Sequence, residues 1–332
     1  MKLLFIFTGG TIGSTEKDGV IATDSSKSYK IIDFYEKKYG IDFEYDMLEP
    51  YVELSENNTG KNLRELCLSV LDNLDKGYDG IVVTHGTDTL QYSATALAYS
   101  LGLSKIPVCI VSANRPIEHE KSNALDNLRG AISFIESGKG RGVFVVYRND
   151  NCKTVCVHRA TRLVGVKAFS DDVSSIYDQA YGHFDKNFKF IKNRKYKEKK
   201  DVIAPLSAEA LGTINSETVL ITPYVGMSYP VVSDEVKYVI FNTYHSGTLD
   251  TKSCAAIAFF ESARERGIKV YAVGVSDGVG YESSELFGSL GITPLPNIAP
   301  IAAYVKLWLL ESSNLEIDEL LLKSLSGDVA IG

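Results

Sequence analysis

Two short segments bring hydroxyls, glycines and a carboxylate together at spacings that suit chemistry at a carbonyl. One reads Thr8-Gly9-Gly10-Thr11-Ile12-Gly13-Ser14, the other Thr84-His85-Gly86-Thr87-Asp88-Thr89. Paired glycines permit close backbone approach, and exposed amide groups beside hydroxyls form a concavity for negative charge. A threonine hydroxyl is a weak nucleophile at neutral pH. If it attacks a carbonyl it needs a neighbouring base and donors for the oxyanion. Thr11, Thr87 and Asp88 could divide that work. Plainer readings stand beside this one. Thr and Asp at a helix start accept bonds from first-turn amides, so the second segment also reads as a cap. The first also reads as a strand-to-loop turn or a phosphate loop. Its glycines run Gly9-Gly10-x-x-Gly13 instead of G-x-G-x-x-G, and no Lys stands where a P-loop requires one.

Both segments follow short apolar runs. Residues 3–7, 80–84, 107–112 and 142–147 are apolar or β-branched, each followed by Gly or polar turn residues, the pattern of strands covered on both faces. Helix-like stretches lie between them at 62–74, 89–100 and 122–136, the last with Leu125, Leu128, Ile132 and Ile135 at three- and four-residue spacing. This alternation predicts an α/β fold with a doubly wound, mostly parallel sheet in a large N-terminal domain over 1–190. In such sheets ligands gather outside the carboxyl ends of the strands, where both segments fall. From 185 to 201 the pattern breaks into a run with Lys186, Lys189, Lys192, Arg194, Lys195, Lys197, Lys199 and Lys200. It reads as a solvated loop or edge hairpin in preference to an RNA-binding stripe, and residues 191–214 form a linker. Alternation resumes at 218–222, 238–241, 255–266 and 269–275, predicting a smaller α/β C-terminal domain over 215–332.

Composition narrows the class. The 332 residues are 45% hydrophobic, enough for a globular protein that buries about three-quarters of its unfolded surface. With 35 Lys and Arg against 42 Asp and Glu, the net charge of −7 argues against nucleic acid and anionic membrane as partners. The apolar run at 3–7 is too short for a signal-peptide core, and no window approaches about 18 apolar residues, so a cytoplasmic location is expected. Five scattered cysteines, at 67, 109, 152, 156 and 254, fit a reducing compartment. Cys152, Thr154, Cys156 and His158 alternate and on a strand would share one face. Their spacing is not that of a standard zinc site and a fourth ligand is absent, so core packing is the preferred reading.

The pair of motifs, T-G-G-T-I near the N-terminus and T-H-G-T-D-T after a later strand, resembles the signatures of the bacterial asparaginase and glutaminase family. Ser112-Ala113-Asn114-Arg115-Pro116, Asp126-Asn127-Leu128 and Asn297-Ile298-Ala299-Pro300, with Ala302-Ala303 and Lys306-Leu307, are similar to further family elements. The resemblance spans nearly the whole chain and is strongest before residue 150. Ile12-Gly13 and the lack of a signal peptide are similar to the cytoplasmic type I branch. The resemblance implies hydrolysis of L-asparagine to L-aspartate and ammonia through a Thr acyl-enzyme, with no metal or organic cofactor. By position, Thr11 would be the nucleophile and Thr87 the second hydroxyl, orienting water or relaying a proton. Asp88 would hold the substrate α-ammonium. Gly10 and Gly86 belong to the binding loops. Ser55 and Glu56 would grip the α-carboxylate and α-ammonium, although they also read as a capping pair for the 62–74 helix. The Ala113 carbonyl would receive the leaving amide group.

Some positions depart from the family. Its catalytic Lys aligns with Arg162, which stays protonated at any relevant pH. Arg162 is therefore expected to supply charge and orientation, clamping a carboxylate such as Asp88 instead of moving a proton. Lys167 or Lys153 would substitute only if a gap shifts the alignment. Val20 falls at the position of the family's loop Tyr, with Tyr29 further along, and His245-Ser246-Gly247-Thr248 stands where the family has a substrate-contacting Gly-Asn element. These departures leave open an attenuated amino-acid-binding or regulatory protein, or an amidase for a different side-chain amide. The expected partners are a small-molecule amino-acid amide and further copies of the chain, as a homodimer or homotetramer, with Tyr281, Glu282 and Glu285 at a cross-subunit site. An archaeal component of a tRNA-dependent amidotransferase, in the same family, carries an extra N-terminal domain, for which no room is expected before Thr8.

Overall fold

The computed structural model describes residues 1–10, 14–17, 20–23, 29–150, 152–166, 169–199, 205–275, 280–311 and 315–331, with the backbone alone at 14–17 and 20–23. In chain order, β1 (Lys2–Phe7) is followed by a hairpin of β2 (Ser14–Lys17) and β3 (Val20–Thr23). Next come α1 (Lys30–Tyr39), β4 (Glu44–Leu48), α2 (Gly60–Leu71), β5 (Gly80–Thr84) and α3 (Leu90–Leu101). Then follow β6 (Pro107–Val111), α4 (Ala124–Glu136), β7 (Gly142–Tyr147) and β8 (Cys156–Arg159). The pair β9 (Leu163–Val166) and β10 (Val173–Ser175) precedes the hairpin of β11 (Gly182–Phe184) and β12 (Phe190–Lys192). The C-terminal part holds β13 (Thr218–Ile221), β14 (Tyr238–Asn242), α5 (Cys254–Glu265), β15 (Lys269–Val275), α6 (Glu282–Glu285), β16 (Ile292–Pro296), α7 (Pro300–Glu311) and α8 (Ile317–Leu322).

Eight strands form the large sheet in the order β12-β11-β8-β7-β6-β5-β1-β4. The five from β4 to β7 are parallel, while β8, β11 and β12 are added antiparallel, so the sheet is mostly parallel as the apolar runs predict. Every residue of β5, β6 and β7 is buried, because helices cover both faces. Leu3, Phe5 and Phe7 of β1 face one core with α1 and α4, and Leu4 and Ile6 face the other with α2 and α3. The smaller sheet, β13-β14-β15-β16, is wholly parallel. Its helix α7 packs on α3, so one apolar cluster runs from the first sheet into the second. Among the described residues no helix is long and apolar enough to cross a membrane.

The 324–331 segment returns to the large sheet's helices and is held there by a buried ion pair. Asp328 accepts from Lys306 Nζ at 2.9 Å, Tyr99 OH at 2.9 Å, and the Leu325 and Val329 amides at 2.8 Å each. Four donors satisfy a carboxylate that no water reaches. Ser326 Oγ donates to the Ala98 carbonyl at 2.6 Å, and Thr161 Oγ1 to the Ser326 carbonyl at 3.1 Å. This strap therefore grips the C-terminal half of α3. Asp328→Ala leaves Lys306 charged and unpaired in the core and is expected to cost about 3–5 kcal/mol in urea unfolding. A loss below about 1 kcal/mol would show that the ion pair does not hold the strap.

Candidate active site

Four adjacent strands, β4-β1-β5-β6, end on the same side of the sheet, and each is followed by residues the sequence singles out: Ser55 and Glu56, Gly10, Gly86 to Asp88, and Ala113. The loops after β1 and β5 are locked together first. Thr8 Oγ1 donates to the Thr84 carbonyl at 2.7 Å, and the Glu53 carbonyl ties the first loop to the segment after β4 by accepting from the Gly10 amide at 3.2 Å. Gly10 has φ +75°, and a Cβ there would stand 2.4 Å from the Gly86 amide nitrogen. A Cβ on Gly86 would in turn meet Ser55 Oγ at 2.3 Å. Both positions need glycine because backbone and hydroxyl occupy the space of a side chain.

Ser55 is buried in a 3-10 turn, Ser55–Asn57, and its hydroxyl donates to Asp88 Oδ2 at 3.1 Å while accepting from the Asp88 amide at 3.2 Å. Thr89 donates its hydroxyl to the Ser55 carbonyl at 2.8 Å. The helix-cap reading of the second motif therefore differs from what is seen: Thr89 precedes α3 without a side-chain cap bond and turns to Ser55 instead. The start of α2 is closed by Thr59, whose amide and hydroxyl reach Asn62 Oδ1 at 2.9 and 2.7 Å, so Ser55 is not needed there. Glu56 is exposed beside this turn, Thr87 is half-buried and Asp88 is exposed.

His85 braces the loop from below. Its Nδ1–H donates to the Gly86 carbonyl at 2.8 Å, which leaves Nε2 to accept from Ser93 Oγ at 2.7 Å and Asn58 Nδ2 at 3.2 Å. Asn58 also donates to Thr89 Oγ1 at 3.2 Å, closing a network from His85 to Asp88. Asn58 and Ser93 carry no sequence signal of this role, since neither lies inside a motif. Ala113 is buried next to loop residues pinned by side chains: Asn114 and Asn123 exchange bonds of 3.0 and 3.1 Å, and Asn127 Nδ2 donates to the Ser112 carbonyl at 2.8 Å.

Arg162 is not brought to Asp88. β8 runs antiparallel to β7, so the chain travels away from the carboxyl ends before Arg162 is reached. The side chain is fully buried, its Nε donating to the Gly327 carbonyl at 2.7 Å and its Nη2 to those of Lys197 at 2.7 Å and Val329 at 3.1 Å. Its guanidinium lies 4.3 Å from the centre of the Tyr196 ring. The fork thus clamps two carbonyls of the strap and that of Lys197, not a carboxylate. Burial lowers the guanidinium pKa, against the pull of Tyr196 and Glu198.

Thr11 and Lys167 lie outside the described residues, as does the side chain of Val20. Tyr29 packs edge-on against Phe7 at 5.0 Å. His245, Ser246 and Tyr281 line a cleft of about 500 Å³ with Tyr177 and Asn297, at the carboxyl ends of β14 to β16. Glu282 pairs with Lys252 at 2.9 Å. Cys152 and Thr154 precede β8 instead of lying on it, and His158 turns to Ser175 Oγ at 2.8 Å. Among the described residues no group of three His, Cys, Asp or Glu side chains could hold a metal ion.

An α/β chain whose parallel strands end in two interlocked Thr-Gly loops is the class that fold and site define. Residues 2–196 match the family model described as "Asparaginase, N-terminal". The chain belongs to this asparaginase family. It is 38% identical over 113 residues to a glutamyl-tRNA(Gln) amidotransferase component of Haloquadratum walsbyi, covering 33% of this chain and only 25% of that protein. Against the component of the same name from Sulfurisphaera tokodaii it is 26% identical over 344 residues, covering 99% of this chain and 75% of that one. The fold is shared with the thermostable L-asparaginase from Thermococcus kodakarensis, at TM-score 0.77, 21% identity and full coverage of both chains.

Two predictions follow from the buried bases. Burial holds the His85 and His158 pKa values below the ordinary 6.5, His158 to about 4. The unfolded chain takes up these protons near pH 6.5 and the native one does not. Stability is therefore greatest above that pH and falls as pH drops, His158 contributing about 1.4 kcal/mol per unit down toward pH 4 and His85 acting in the same direction. Urea unfolding at pH 7 and pH 5 should show the loss, and His158→Gln should remove part of it. Arg162→Lys keeps a charge but loses the fork, so it is expected to destabilise by about 2 kcal/mol without raising any amide-hydrolysis rate. A faster enzyme would return Arg162 to the reaction.

Proposed function

We propose that this protein is an amidohydrolase acting on the side-chain amide of L-asparagine, with Thr11 as the nucleophile. The observation that supports it most is the contact of Gly10 with Gly86 and of Ser55 with Asp88, which gathers both motif loops at one end of the sheet. Thr11 follows Gly10 directly in sequence, and Thr87 follows Gly86. The Thr11 hydroxyl would add to the amide carbonyl, ammonia would leave with a proton, and water would then release L-aspartate from the acyl-enzyme. Thr87 would orient that water. Asp88, oriented by Ser55, would bind the α-ammonium, with Glu56 adding negative charge at the rim and the Ala113 carbonyl facing the leaving group. The reaction as written uses no cofactor, and its site would be completed by a second copy of the chain.

A second reading takes its support from Arg162. With its guanidinium committed to the strap, the site lacks the family's basic residue at that position, so an attenuated amino-acid-binding protein, or an amidase for another side chain, is the alternative. In a third, suggested by relatives that are amidotransferase components, the ammonia would pass to a partner.

Ammonia release from L-asparagine, L-glutamine and related amides separates the first two readings. Turnover of L-asparagine is expected, abolished by Thr11→Ala to about a thousandth or less and partly kept by Thr11→Ser. Near-normal activity in Thr11→Ala would move the attack to another group. Calorimetric binding of an amino acid without ammonia release would select the attenuated reading.

A further inference from the structure

The cationic run left unassigned by the amide chemistry is built as an outward-facing ribbon. Residues 185–199 carry seven Lys and Arg against two acids, leaving 28 cations against 40 acids in the rest of the chain. The two acids are both used internally. Asp185 Oδ1 accepts from the Asn187 and Lys189 amides at 2.9 Å each, closing the turn between β11 and β12. Glu198 points inward, accepting from Arg159 Nε at 2.8 Å and Tyr196 OH at 2.8 Å. All seven cations are exposed, and Lys186, Lys189, Lys192, Arg194, Lys195 and Lys197 have no carboxylate partner among the described residues.

Past β12 the chain turns, the Tyr196 amide donating to the Asn193 carbonyl at 3.2 Å. Tyr196 is buried against Tyr181 and Arg162, and Glu198 forms a bridge with Ala330, while Lys195 and Lys197 between them are exposed. Their ammonium groups stand free for the separate charges of a polyanion, whose affinity rises with each phosphate neutralised. β12 is also the last strand of the sheet. Of the seven cations only Lys192 lies on β12, so protecting a sheet edge does not account for the other six. At about 0.1 M salt, acids more than about 10 Å away do not cancel the patch.

We propose that this hairpin and the segment after it, through Lys197, dock the phosphate backbone of a single-stranded nucleic acid. A flexible strand can follow a segment that turns at 185–188 and again at 193–196, where a rigid duplex or a flat bilayer would touch it at one end. The expectation from net charge, that nucleic acid is excluded, averages over a strongly uneven distribution.

The test is fluorescence anisotropy of the full chain with a fluorescein-labelled single-stranded RNA of 20 nucleotides. Binding is expected at 50 mM salt, weakening about tenfold to twentyfold by 200 mM, as for about three phosphates neutralised. Lys195→Glu combined with Lys197→Glu should weaken binding at least tenfold and flatten the salt dependence, with an unchanged thermal melt. No binding at 50 mM salt, or equal binding by the double variant, would overturn the proposal. So would salt-sensitive self-association abolished by the same two changes, which would make the acidic face of a second copy the occupant.

Discussion

The site depends on two backbones meeting with nothing between them. Gly10 and Gly86 approach so closely that one methyl group on either would collide with main chain or with Ser55. Parallel neighbouring strands β1 and β5 bring the loops side by side, but strand spacing alone would leave room for side chains. Removing that room sets the remaining geometry. Ser55 can reach Asp88 only because Gly86 has no Cβ, and Thr89 can reach the Ser55 carbonyl only because Ser55 is seated there. The buried, neutral His85 then fixes the loop from the other side.

Much of this is legible in the chain. Strands buried on both faces are written as unbroken apolar runs, so β1, β5, β6 and β7 can be read almost to the residue. The motifs lie directly after two of them. β4 is written differently: residues 41–47 alternate apolar and polar side chains, the mark of an edge strand open to solvent, and not the unbroken apolar run of its buried neighbours. Its place beside β1 comes from backbone pairing, to which composition is nearly blind.

Arg162 shows a different limit. Alignment places it at a catalytic position, and chemistry suggests that its fork would seek a carboxylate. Its partners are the carbonyls of Gly327 and Val329, 165 and 167 residues away, and of Lys197. Carbonyl acceptors are present at every residue, so sequence carries no mark of which ones a guanidinium will find. Asn58 and Ser93 are hidden for a related reason: their role is fixed by the ring they face, His85, and not by any pattern around them.

The strap also bears on how the protein is made. Helix α3, which carries the Thr87–Asp88 loop at its start, is held at its other end by Ser326, 228 residues later in the chain, and by Asp328. On a ribosome the large sheet can assemble as it emerges, yet its central helix waits for nearly the whole remainder of synthesis before its last fastening arrives. For that interval Tyr99 and the Ala98 carbonyl lack their native partners, a stage at which nascent chains are open to capture by chaperones. The loop at the start of the helix is held by partners that all precede residue 94, so the far end of the helix is the part fastened last.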